Sequence, residues 1–237
     1  MSIKAVLFDL DGTLLPMDQE LFVKTYFGLL ARRLAPLGYE TEKLMKVFWG
    51  GVAAMVKNDG SGTNEEAFWK VFTAAYGEES INDKPFIDEF YKTEFNQVQS
   101  VCGFHKAAKE IVEFVKSKGK IAVLATNPLF PHTATENRMR WAGLEPEIFA
   151  DYTTYEDCHY CKPNPRYYEE LLERLALKPE KCIMVGNDYE EDMVPTKKLG
   201  MQGFLLTDCL INKNGQDISE CPQGDFEALR LHLEKML

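Results

Sequence analysis

A chain of 237 residues, 45% hydrophobic and 27% charged, is long enough to bury a sizeable core and has the balance of an ordinary globular protein, which excludes the disordered and fibrous classes. Its 37 acidic and 27 basic side chains give a formal net charge of -10, so partners held by neutralising many phosphates are excluded and no nucleic acid is expected. No apolar run approaches the ~20 residues that cross a bilayer, so no membrane partner is expected.

The N-terminal stretch IKAVLFDL is strand-like, with only Lys4 as a charge before Asp9, and reads as the start of a cytosolic protein without a signal peptide. The six cysteines then read as reduced thiols. Lys4 to Asp9 predicts a buried strand that delivers polar groups at its C-terminal end. From about Asp18 to Asn96 the apolar residues recur at helical spacing (LFVKTYFGLLARRL, EKLMKVFWGGVAAMV, EEAFWKVFTAAY, FIDEFYKTEF), with breaks at Leu37-Gly38, Asp59 to Gly62 and Asn82 to Pro85.

After Gly103 helix and strand alternate. The pattern predicts a helix over His105 to Lys118, a strand IAVLATN, a helix around Thr133 to Trp141, a helix PRYYEELLERLAL, a strand CIMVGND, a helix over Glu191 to Leu199, a strand QGFLLT and a terminal helix from Asp225. Such alternation implies a parallel sheet covered on both faces. The expected architecture is α/β: a Rossmann-like three-layer core formed by residues 1–16 and 100–237, with an all-helical insertion at 17–99.

In an open parallel sheet ligands bind beyond the carboxyl ends of the strands. Asp9, Thr126 and the Gly186-Asn187-Asp188 cluster each stand at such an end. Asp9 and Asp11 sit at alternate positions, so in an extended segment both carboxylates face one crevice, a pairing that suits one metal ion and a split between attack and proton transfer. Taken alone, Asp-x-Asp-Gly is as well explained as a turn.

Four motifs in order carry more weight. FDLDGT, ATN at Ala125 to Asn127, CKPNP at Cys161 to Pro165 and VGNDYEEDM resemble the four signatures of the haloacid dehalogenase superfamily. The resemblance implies a phosphatase with a helical cap inserted after the first core strand. Asp9 would be the nucleophile that takes up a phosphoryl group, Asp11 the general acid and base, and its main-chain carbonyl a metal ligand. Thr126 and Asn127 would bind phosphoryl oxygens, with Lys162 as a fixed positive charge against them. Mg²⁺ is the implied cofactor, since an all-oxygen donor set suits a hard cation.

The fourth signature departs from the family's Gly-Asp. Either Asn187 donates its amide oxygen to the metal in the usual position, or Asp188 is the ligand; the reading leans to Asn187, with Asp192 as an outer residue that holds metal-bound water or Lys162. Glu190 and Glu191 read as a favourable acidic first turn of the next helix. Cys158-His159-Tyr160-Cys161 has half of a zinc-site spacing without a second pair, and reads as a loop. The aromatic-rich helices are expected to form the core of a cap whose loops, including Asp59 to Thr63, touch the leaving group. The implied substrate is a small phosphorylated metabolite. Asp11 argues against dehalogenase, phosphonatase and transport ATPase chemistry, leaving a sugar-phosphate mutase or a non-catalytic phosphoryl binder as alternatives. No motif speaks to oligomeric state.

Overall fold

The computed structural model of the chain describes residues 2–237. Five strands form one parallel sheet: β1 (Ala5–Phe8), β2 (Ile121–Leu124), β3 (Cys182–Gly186), β4 (Gln202–Leu206) and β5 (Gln223–Gly224), in the order β2-β1-β3-β4-β5. β1 lies inside the sheet and all four of its residues are buried, which is why it reads as an unbroken apolar run. The two-residue β5 is the element the hydrophobic pattern does not predict, because a strand that short has no periodicity.

Alternate residues of each strand face opposite layers. Val6 and Phe8 pack with α5 (Lys106–Ser117), α6 (His132–Trp141) and α9 (Phe226–Met236). Ala5 and Leu7 pack with α7 (Pro165–Arg174) through Tyr167, Tyr168 and Leu171, and with Met193 and Leu199, which flank the short α8 (Val194–Lys198). The expected three layers are therefore present. The Glu191–Leu199 helix begins with a π-helical turn over Tyr189–Met193 instead of an α-turn.

Between β1 and α5 the chain forms α1 (Gln19–Leu34), α2 (Thr41–Val56), α3 (Asn64–Tyr76) and α4 (Lys84–Lys92), then a 3-10 stretch over Glu94–Val101. α3 starts on a capping box in which the Thr63 hydroxyl accepts from the Glu66 amide and the Glu66 carboxylate accepts from the Thr63 amide. The two connections to the sheet pair with each other, Met17 bridging Cys102 and the Gly103 amide donating to the Pro16 carbonyl at 2.7 Å. The helical block shares one apolar cluster with the α5/α6/α9 layer: Phe22 and Tyr26 of α1 meet Phe130 at ring separations of 6.2 and 5.5 Å, and Phe95 meets Trp141 at 5.1 Å. Among the described residues no helix is long and apolar enough to cross a membrane.

Candidate active site

The strand order places a switch between β1 and β3, where successive connections leave β1 in opposite directions, and such switch points open a crevice at the carboxyl ends of the strands. The register makes those ends level: Phe8 pairs with both Leu124 and Val185, the Asp9 amide donates to the Val185 carbonyl at 2.9 Å, and the Ala125 amide donates to the Phe8 carbonyl at 2.7 Å. A crevice of about 190 Å³ opens there, lined on the sheet side by Asp9, Asp11, Thr126, Asn127, Asn187, Asp188, Glu191 and Asp192. Segments more than a hundred residues apart in the chain thus meet as the motif order implies.

Asp9 is held from two sides. The Lys162 ammonium donates to Oδ1 at 2.9 Å and the Thr13 hydroxyl reaches Oδ2 at 3.0 Å. Lys162 also donates to Asp192 Oδ1 at 2.6 Å, and both of those residues are only 1% exposed. Burial alone would lower the Lys162 pKa, but the carboxylates of Asp192 and Asp9 outweigh it and hold the ammonium well above its ordinary range. Burial pushes the Asp192 carboxyl up to about 7 although Lys162 pulls it down. Asp192 Oδ2 accepts from the amides of Asn187 and Asp188 at 3.1 and 3.0 Å, so one carboxylate fixes both the lysine and the loop after β3. Gly186 is required for this, because a Cβ there would stand 2.1 Å from Asp192 Oδ2.

The orientation of Asn187 follows from its partners. Its amide nitrogen donates to the Cys209 carbonyl at 2.7 Å, which turns Oδ1 toward Thr13 at 2.9 Å. An aspartate here would set a carboxylate oxygen against the Cys209 carbonyl, a physical reason for the Asn. The single Thr13 proton serves two acceptors, Asp9 Oδ2 and Asn187 Oδ1, so one oxygen is left without a donor. Asp11 Oδ1 and Asn127 Oδ1 are likewise buried without partners. Such a surplus of bare oxygens suits a hard cation or its water. Among the described residues no three His, Cys, Asp or Glu side chains cluster closely enough to hold a metal ion, so a cation here depends on the Asn187 amide and main-chain oxygens as well as on carboxylates. Asp188 uses Oδ1 to cap the following turn, accepting from the Glu190 and Glu191 amides at 2.9 and 3.0 Å.

Thr126 lines the crevice while its carbonyl accepts from Thr153 Oγ1 at 2.6 Å and the Tyr167 hydroxyl at 2.8 Å, which fixes the turn after β2. The Asn127 amide donates to Glu191 Oε2 at 3.0 Å. Glu191 is therefore more than an exposed first-turn acid: it lines the crevice, and burial raises its pKa.

Arg138 on α6 is the residue that motif reading misses. It is fully buried and its Nη1 pairs with Asp11 Oδ2, while its Nε donates to the Ala134 carbonyl at 3.3 Å and its guanidinium lies 4.3 Å from the Phe130 ring centre. The signal was an arginine in register with Ala134 and Trp141 on the apolar face of the helix, where a charge needs a partner. Burial raises the Asp11 pKa, and Arg138 opposes that rise.

The expectation for Asp59 to Thr63 is not met. That loop is absent from the crevice lining and packs on Tyr160 instead, whose hydroxyl donates to the Asp59 carbonyl at 3.4 Å. The adjoining Asn64 explains why, since its buried amide reaches Pro128 O and Cys161 Sγ, both at 3.3 Å, and anchors the start of α3 beside the core. Met17, Gln19, Phe22 and Val23, in and just before α1, face the crevice instead. In the Cys158 to Cys161 loop both cysteines are buried free thiols, and His159 pairs with Glu170 at 2.6 Å.

The family model of the haloacid dehalogenase-like hydrolases matches residues 3–200. The glyceraldehyde 3-phosphate phosphatase of Methanothermobacter thermautotrophicus is 27% identical over 92% of this chain and 94% of its own. Pyrophosphatase PpaX of Bacillus cereus is 25% identical over 81% of this chain and 77% of its own. Among solved structures, the 2-haloacid dehalogenase of Pseudomonas syringae pv. Tomato superposes with a TM-score of 0.65 at 19% identity, covering 99% of this chain and 100% of its own, a likeness of fold.

Proposed function

Because the chain belongs to the haloacid dehalogenase-like hydrolases, we propose that it is a cytosolic Mg²⁺-dependent phosphatase that hydrolyses a small phosphomonoester through an aspartyl-phosphate on Asp9. The observation that carries this reading is the buried Asp9 carboxylate at the crevice floor, held and oriented by Lys162 and Thr13. The relatives named phosphatase and pyrophosphatase favour the same class.

In this reading Asp9 attacks phosphorus as the bond to the leaving oxygen breaks, and Asp11 gives that oxygen its proton. A water then attacks the phosphorus of the acyl phosphate, Asp11 takes the water's proton, and Asp9 is released with inorganic phosphate. Thr126, Asn127 and the Lys162 ammonium hold the phosphoryl oxygens as charge builds on them. Mg²⁺ held by Asp9, the Asp11 main-chain carbonyl and Asn187 would neutralise charge between the nucleophile and its anionic substrate. Asn187 is favoured over Asp188 because its Oδ1 faces Asp9 across Thr13 and shares that hydroxyl's single proton with it, whereas Asp188 caps a turn. The helical block over 17–99 acts as the cap, keeping bulk water from the reacting centre.

The reading is tested by phosphate release from a panel of sugar phosphates, nucleotides and an aryl phosphate, with Mg²⁺ and with chelator; release that a chelator leaves unchanged contradicts it. Further outcomes are expected for single variants. Asn187→Ala should raise the Mg²⁺ concentration for half-maximal turnover by about tenfold or more, through the loss of one oxygen ligand. Asp188→Ala should instead cost about 1 kcal/mol of stability through the lost cap, as urea denaturation would read; the reverse pattern would assign the metal to Asp188. Asp11→Asn should lower kcat by about 10²- to 10⁴-fold, the usual worth of a general acid. Arg138→Met should lower kcat by about tenfold in the wild-type background and hardly at all in Asp11→Asn, since the two act as one unit; additive losses would place the role of Arg138 elsewhere.

A further inference from the structure

A second cavity, of about 120 Å³, lies between the helical block and Leu129, Phe130 and Tyr155 of the α/β core, and Val23, Leu129 and Phe130 line both it and the phosphoryl crevice. Its other walls include Phe27, Phe48, Trp49, Val52, Phe68 and Trp69, and among the described residues no charged side chain lines it. Its polar features are sparse. The Tyr26 and Tyr91 hydroxyls are bonded to each other at 2.7 Å, and the buried indole N–H of Trp69 has no acceptor. On the crevice side, Gln19 and Lys213 are the only polar side chains outside the strand-end cluster among the described residues.

Given the phosphatase reading, on which this inference rests, we propose that the cavity receives the leaving group, and that the substrate is a phosphomonoester whose alcohol carries an uncharged apolar ring. Apolar cavities of about 150 Å³ take up a benzene-sized ring in preference to water. The volume here is of that order, and its walls are mainly aromatic side chains and aliphatic edges. A polyhydroxylated leaving group entering the same space would give up its water for few partners, because a pocket with so few donors and acceptors does not reward hydroxyls. The cavity shares Val23, Leu129 and Phe130 with the crevice where a leaving oxygen would stand, so a short alkyl spacer between phosphate and ring suits its placement.

The test compares 2-phenylethyl phosphate with ethyl phosphate, whose leaving alcohols are of similar acidity, and with glycerol 3-phosphate and glyceraldehyde 3-phosphate. The expected result is a kcat/KM for 2-phenylethyl phosphate about 100-fold above ethyl phosphate, the size that burial of one ring gives. Val52→Phe, which fills the cavity away from the strand-end cluster, should cut that ratio to about threefold, through loss of the ring's burial. Should this variant fail to fold, Trp49→Ala, on the solvent-facing rim at 47% exposure, should lower the ratio about tenfold by the same loss of contact. Equal or better hydrolysis of the triose or glycerol phosphate overturns the substrate class and leaves the phosphatase standing. A ring preference that survives both variants places the ring outside this cavity and overturns the proposal. Absence of Asp9-dependent release from every compound removes the phosphatase reading itself, and this inference with it.

Discussion

Lys162→Met is expected to lower stability by about 3–5 kcal/mol, the cost of stripping the counter-charge from buried carboxylates. Lys162 is 1% exposed and lies between Asp9 and Asp192 at 2.9 and 2.6 Å, so its removal sets two buried acids against each other with no cation between them. In a chain of this size the loss corresponds to a melting temperature lower by roughly 6–20 °C. Turnover should fall below detection, because the fixed charge facing the phosphoryl oxygens is gone. The double variant Lys162→Met with Asp192→Asn separates the two effects: it removes one of the stranded charges and should regain part of the stability but none of the turnover. A double variant that recovers both would show that Lys162 serves only the fold.

Asp9→Asn is expected to lower turnover by about 10⁴-fold or more, in line with other enzymes deprived of their nucleophile. The fold should survive. The amide keeps an oxygen for Thr13 or Lys162, and Lys162 retains Asp192 as its ion-pair partner. Thermal melting within a few degrees of wild type, together with lost phosphate release, is the expected pair of results, as about 1 kcal/mol is a usual change when one partner of a charged hydrogen-bond network becomes neutral. Activity within tenfold of wild type would exclude Asp9 as the attacking group.

The contrast between these residues and Arg138 shows what the sequence made legible. β1 and β3 were readable because strands buried on both faces must be continuously apolar, and the polar residues that end them stand out. Asp9 and Asp11 follow β1, Thr126 follows β2 and Asn187 follows β3, so their convergence is a consequence of a parallel sheet. Lys162 follows no strand, and its position beneath Asp9 was readable only through the order of the motifs. Arg138 belongs to no motif. Its importance comes from the burial of a guanidinium against Asp11, a tertiary contact across 127 positions that no local pattern encodes.

The misassigned loop has the same origin. Asp59 to Thr63 has the Gly and Asp content of an exposed turn, and nothing in that composition says which side of the block it faces. The direction is set by Asn64, whose buried amide docks beside Cys161, and by Tyr160, which packs where a Cβ of Gly60 would otherwise stand. The side of the block that does meet the crevice is the start of α1, where Phe22 and Val23 appeared in the sequence only as part of a helical pattern. The Asn in place of the expected Asp after Gly186 was visible from the start. Its cause, the Cys209 carbonyl facing the side-chain amide, lies in the segment after β4 and required the structure.

The most direct test of the central claim is to trap the covalent intermediate. The protein, with Mg²⁺ and a phosphomonoester that it turns over, is quenched in acid during the steady state, and the phosphorylated peptide is mapped by mass spectrometry. The account predicts one acid-stable, alkali-labile phosphoryl group on the peptide that contains Asp9, absent with chelator and absent in Asp9→Asn. Metal-dependent phosphate release that proceeds with no label on that peptide, and equally well in Asp9→Asn, would contradict it.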